Sequence, residues 1–162
     1  FNILREQFSL TSTLDDFDQI FFFRDFILKE GHIPPSLSRA LAHRMVNTYQ
    51  SWINYLHNLI SPNPGNIFTI KENHFFSELE HKKISQLMFQ IMALVSTNSY
   101  VGLSKDKNKE AEFFYESINF WQKTFLPEML KITKKINECW NKVSNEEKSK
   151  EENKTKRNPL FG

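Results

Sequence analysis

The sequence predicts an all-α fold, a bundle of four main helices, and three observations carry that expectation. Sixteen Phe stand against four Gly, too few glycines for the tight turns that a many-stranded sheet requires. Apolar residues recur at steps of three and four along most of the chain, the period of a helix with one buried face. Pro34, Pro35 and Pro62 fall with capping residues between those stretches, where one helix must stop and the next begin. The 162 residues are enough for one domain with a real core and too few for two. Residues 1–144 are expected to form that domain, and residues 145–162 a polar C-terminal tail.

The first helix is expected over 14–30. Ser12 and Asp15 make a capping pattern, acids fill the first turn, and Gly31 follows Lys29 as a stop signal. Pro34 and Pro35 forbid continuation, Ser36 can cap, and a second helix runs to Ser61 ahead of Pro62. Its stripe of Leu37, Leu41, Met45, Trp52, Leu56 and Leu59 is widened by Ala42, Val46, Tyr49, Ile53 and Ile60, which marks it as deeply embedded. After a turn, Ile67–Ile70 is a strand candidate. A third helix from about His74 to Thr97 rests on Ile84, Leu87, Met88, Ile91, Leu94 and Val95. A polar loop around Gly102 precedes the longest pattern in the chain: Phe114, Ile118, Trp121, Phe125, Met129, Ile132, Ile136, Trp140 and Val143. Pro127 sits inside it. A residue that lacks an N–H and crowds the preceding turn predicts a kink or break near Leu126.

Charge excludes more than it selects. The balance of 21 basic and 19 acidic residues, net +2, creates no field that would draw the chain to DNA or to an anionic membrane. Lys131, Lys134 and Lys135 read as a solvated helix face, since no arginines or exposed aromatics are interleaved with them. Nucleic acid is therefore not an expected partner. Cys139 stands alone, so no internal disulfide can form, and between Ile136 and Trp140 it reads as core and not as a nucleophile. No Gly-rich phosphate loop, Gly-x-Ser-x-Gly or Asp-rich calcium loop is present, so no catalytic residue and no cofactor is assigned. No apolar run approaches the roughly 20 residues that span a bilayer. The chain opens at Phe1 with neither Met nor a signal-peptide pattern, which predicts a piece of a longer, cytoplasmic protein.

Chemistry concentrates in ENHFFSELEHKK, Glu72 to Lys83. Glu78 and His81 form Glu-x-x-His, the pair that di-iron bundles present from one helix, and His74 precedes Glu78 by one turn. A ferritin-like or hemerythrin-like centre built on His74, Glu78 and His81 is thus an alternative reading. It lacks a second Glu-x-x-His, and His43 falls on the polar face of the second helix. Polar groups at a helix start, where the dipole favours acids, are the preferred reading. The same stretch offers Phe75 and Phe76 as apolar anchors and Lys82 and Lys83 as a basic rim, to which the aromatic surplus of the first helix adds Phe22. Burial in the core is the preferred reading of these aromatics; the alternative is that the five residues make a binding patch for a protein partner or for a phosphoinositide-bearing membrane. Glu78 and Glu80 stand among them and repel an anionic surface, so the protein partner is preferred.

In the tail, Glu146, Glu147, Glu151 and Glu152 form a glutamate block, and Leu160 is third from last. This resembles the C-terminal translocation signal of effectors exported by Dot/Icm-type type IVB secretion systems of intracellular bacteria. The resemblance covers the tail alone. It implies a large secreted effector that acts in the host cell cytosol, whose C-terminal helical domain recognises a host protein or a lipid and whose tail is read by secretion chaperones. The function expected is therefore a non-catalytic helical interaction module.

Overall fold

The computed structural model describes residues 5, 6, 13–22, 24 and 36–157, with side chains through 149. Its elements are α1 Leu14–Phe21, α2 Leu37–Ile60, α3 Ile67–Asn73, α4 Glu78–Ser104 and α5 Lys107–Phe120, followed by a π-helical turn over Trp121–Phe125 and α6 Leu126–Arg157. Among the described residues there is no strand, and the fold is an all-α bundle.

α1 begins at a capping box one residue later than Ser12 suggested. Asp16 N–H donates to the Thr13 hydroxyl at 3.2 Å, and Thr13 N–H donates to the Asp16 carboxylate at 2.7 Å. Those bonds to Thr13 hold the Asp16 pKa below its ordinary value. α1 ends at Phe21. Phe22 takes a left-handed conformation at φ 51° and its N–H closes on Asp18 O, while Arg44 of α2 donates to the Phe21 carbonyl at 2.9 Å. A guanidinium on a terminal carbonyl ends the helix without glycine. Residues 23 and 25–30 of the expected helix lie outside the described residues.

The strand expected at Ile67–Ile70 is a correction: the segment is the first turn of α3. The Asn66 side chain accepts the Phe68 N–H at 2.9 Å, and this N-cap outweighs the β-propensity of Ile, Phe and Thr. α4 likewise starts at Glu78 and not at His74, because Ser77 and Glu80 form a capping box in which Ser77 N–H donates to Glu80 at 2.8 Å. It runs past Thr97 to Ser104, and the polar loop expected there shrinks to Lys105, left-handed at φ 55°, and Asp106, which caps α5. Gly102 stays helical. Its missing Cβ leaves room for Arg39, whose guanidinium nitrogen lies 2.8 Å from where a Cβ would stand. Arg39 uses that gap to donate to Asn98 O at 3.4 Å and to face Glu110, which also accepts from Ser38 at 3.2 Å.

α2 is the central helix. Leu41, Ala42, Met45, Val46, Tyr49, Leu56 and Leu59 are all buried along it, as its widened stripe predicts. Around Tyr49 gather Phe21 of α1, Phe120 of α5, and Trp121 and Phe125 of the π turn, with ring centroids 5.8 to 6.2 Å from it. The edge and tilted arrangements suit the ring quadrupoles. Burial pushes the Tyr49 phenol well above its ordinary pKa, and its hydroxyl donates to Ser117 O at 2.7 Å.

That carbonyl lies where the helical ladder changes. Trp121 N–H is shared between Ser117 O and Ile118 O, and Leu126 N–H reaches back to Trp121 O. The wider turn falls just before Pro127, which has no N–H to offer, and π turns gather where a helix must absorb such a defect. Tyr49 supplies a second donor at its upstream edge. Tyr49→Phe should therefore lower stability by about 1–2 kcal/mol with helix content retained. Urea unfolding followed by circular dichroism measures it, and an unchanged midpoint would mean the Trp121 N–H alone satisfies the carbonyl.

Candidate functional site

Where the start of α4 meets α6, the surface opens into a groove of about 140 Å³ lined by Phe76, Glu80, Lys83, Ile84, Leu87, Glu128, Lys131, Ile132 and Lys135. Ile84 and Leu87 come from the core face of α4, and Ile132 continues the long apolar stripe of α6. Phe76 reaches the floor because Phe75 N–H and Phe76 N–H close on Glu72 O and Asn73 O at 3.0 and 3.2 Å, winding the turn between α3 and α4 tightly under the bundle.

The rim is charged in both signs. Lys135 Nζ donates to Glu80 Oε1 and sits 5.3 Å from the centroid of the Phe76 ring. Lys131 donates to Glu128 at 2.6 Å. Glu80 Oε2 is held from the other side by the Ser77 N–H and hydroxyl at 2.8 and 2.7 Å. Its pKa is pushed down to about 2, by the Lys135 hydrogen bond first and then by Ser77. Among the described residues no ion pair engages Lys83, which leaves it an exposed and unpaired cation at the mouth.

A second aromatic anchor fixes the floor from behind. Trp140 of α6 donates its indole N–H to Glu72 at 2.9 Å and meets Phe75 edge-on at 5.4 Å and Phe68 at 6.0 Å. Asn73 then donates to the last carbonyls of α2, Leu59 O at 2.7 Å and Ile60 O at 3.1 Å. The start of α4, the end of α2 and the middle of α6 are thereby tied through one short helix.

The residues singled out from the sequence are only partly brought together. Phe76 is 8% exposed and belongs to the core and the groove floor, and Phe75 is half-buried on Trp140, so neither projects as a free anchor. Lys82 and Lys83 are exposed on α4. Phe22 is exposed at the end of α1, an element apart from the groove lining. The metal reading finds no ligand shell: among the described residues no three His, Cys, Asp or Glu side chains could hold an ion. The reason is local. His74 ends α3 and Glu78 begins α4, so the one-turn spacing between them does not lie on a helix. His81 Nε2 lies 3.2 Å from Asn73 O and 3.4 Å from Asn73 Nδ2, engaged in the joint described above.

Of the tail, Glu146 and Glu147 are exposed on α6, Glu151 and Glu152 continue the same helix, and Leu160 lies outside the described residues. Cys139 is free and half-buried. Sequence reasoning missed Glu128, Lys131, Ile132 and Lys135 as groove residues. Their helical period was visible, but the packing of α6 against the start of α4 was not. Among the described residues no helix is long and apolar enough to cross a membrane. Compared with known proteins, the chain matches no family model, no curated protein and no solved structure.

The Glu80 pair carries a pH signature. A carboxyl held below its ordinary value of 4.5 in the folded state contributes stability that is fully present above that value and is lost as pH falls toward about 2. Thermal unfolding should therefore weaken through this acid window, and Glu80→Gln should remove part of that dependence. An identical acid profile in the variant would show that the pair is screened away.

Proposed function

We propose that the chain is a non-catalytic helical interaction module whose groove between α4 and α6 seats an apolar side chain of a partner protein. One observation carries the reading: an apolar floor of Phe76, Ile84, Leu87 and Ile132 lies inside a rim that alternates Lys83, Lys131 and Lys135 with Glu80 and Glu128. An apolar centre within a polar rim is the anatomy of a protein-binding site. A rim of both signs suits a peptide carrying charges of both signs beside its anchor.

A phosphoinositide headgroup is the weaker reading. It needs cations that are free to hold phosphate, and here Lys131 and Lys135 are already engaged by Glu128 and Glu80. Lys82 and Lys83 remain available, with Glu78 exposed beside them. The proposal extends to the tail, where the glutamate block on Glu146, Glu147, Glu151 and Glu152 with Leu160 supports export of a larger bacterial effector. On that reading a secretion chaperone reads the tail and the module works in the host cell cytosol.

Panning a random peptide library against the whole chain tests the groove. The expected binders share one large apolar anchor flanked by charges, and their shift perturbations in nuclear magnetic resonance centre on Phe76, Ile84, Leu87 and Ile132. Liposomes bearing phosphoinositide should bind marginally. Binders that map elsewhere would remove the groove from the proposal, and tight liposome binding abolished by Lys82→Glu with Lys83→Glu would replace the protein partner with a membrane.

A further inference from the structure

α4 is apolar on two opposite sides. Ile84, Leu87, Ile91, Leu94 and Val101 are buried in the bundle. Away from them, Phe89 is 72% exposed, Met92 50%, Tyr100 56% and Leu103 86%. Exposed apolar residues are ordinary when scattered, but these four lie on one stripe of one helix, spread along about 21 Å at the helical rise. From Ile84 to Ser104 there is no Asp, Glu, Lys or Arg. Depletion of charge is the compositional mark of an interface core and not of a solvated helix face.

The stripe has a centre. From Phe89 to Met92, Ser96, Tyr100 and Leu103 the steps are three, four, four and three, a sequence of steps that reads the same in both directions about Ser96. Small residues flank that centre: Ala93 and Ser99 stand three positions to either side, and all three are exposed. The Ser99 hydroxyl donates to Val95 O at 3.3 Å within its own helix, so covering it strands no hydrogen-bond donor.

We propose that this face pairs with a second copy of the same chain, α4 against α4, antiparallel about a two-fold axis at Ser96. A two-fold interface must be complementary to itself, and the palindromic spacing meets that condition. Phe89 faces Leu103 of the other copy and Met92 faces Tyr100, a sulfur–aromatic pair. Ser96 meets itself where the helices cross, and Ala93 and Ser99 let the backbones close in. α4 itself puts no charge on this stripe, so it directs no like-charge repulsion at its own copy. Lys109 of α5 flanks it, its ammonium 2.8 Å from the Tyr100 hydroxyl and 4.6 Å from the centroid of that ring. The four side chains offer on the order of 500 Å² per copy and about 1,000 Å² for the pair, the lower edge for a specific interface. The groove opens on the core-facing flank of α4, so the two surfaces are separate and this proposal stands without the peptide-binding one.

Sedimentation equilibrium of the whole chain over a range of concentrations should show monomer and dimer. Ser96→Glu should raise the dimer dissociation constant by about a hundredfold or more, the scale of an unpaired charge inside an interface, with an unchanged circular dichroism spectrum. With Cys139→Ser as background, Ser96→Cys should form an intermolecular disulfide with itself under mild oxidation. Phe89→Cys should crosslink to Leu103→Cys and not to itself, as the antiparallel register requires. A monomer at every concentration, a dimer indifferent to Ser96→Glu, or Phe89→Cys crosslinking to itself would overturn the proposal. So would a monomer that uses this stripe to hold another protein.

Discussion

The buried hydroxyl of Tyr49 on the Ser117 carbonyl is the constraint from which the rest of the architecture follows. α5, the π turn and α6 form one continuous run, and the π turn rotates everything downstream of it relative to a plain α-helix. Tyr49 braces the turn that falls just before Pro127. Its hydroxyl holds the carbonyl at the upstream edge, and its ring packs on Trp121 and Phe125 within the turn. Burying that ring and its neighbours contributes on the order of 1.5–3 kcal/mol for each large side chain. The hydrogen bond adds less energy and braces the turn. Beyond it, Met129, Ile132 and Ile136 face the bundle while Lys131 and Lys134 face water.

The consequence reaches the start of α4. There α6 brings Lys135 to Glu80 across the groove and Trp140 to Glu72. The histidine-rich stretch is then absorbed into structural work. His81 and Asn73 fasten the end of α2, and Phe75 and Phe76 fill space beneath α6. What remains open is the shallow groove, an apolar floor under paired charges. Neighbouring Glu and Lys residues hold those charges in place, which favours recognition of a complementary charge pattern over bulk electrostatic attraction.

α4 serves two surfaces because its sequence departs from simple amphipathicity. A helix with one apolar stripe can face one way only. From Ile84 to Ser104 this one carries apolar residues on opposite sides with small and uncharged polar residues between them. One side completes the core through Ile91 and Leu94, and the other is left in solvent. Since α4 ends in a left-handed Lys105 and α5 starts almost at once from the Asp106 cap, no intervening loop folds over the exposed side.

By itself the sequence determined the fold class and the buried stripes of α2, α4 and the long C-terminal run. These are local properties: period and capping act over one or two turns and need no distant partner. It misplaced boundaries wherever two local signals competed. Gly102 looked like part of a polar loop, yet it stays helical, the left-handed residue is Lys105, and Gly102 is small so that Arg39 can cross it. Ile67–Ile70 looked like a strand because β-branched and aromatic propensity outweighs an Asn cap on paper, whereas the cap launches α3. Only the tertiary structure decided that Phe76 is floor and not anchor, that Lys135 is paired and not solvated, and that His74 caps the end of α3 while Glu78 begins α4. Each of those outcomes depends on which residues, dozens of positions apart in the chain, pack against one another across the bundle, and a helical period fixes the face of each helix without fixing the neighbour that the face meets.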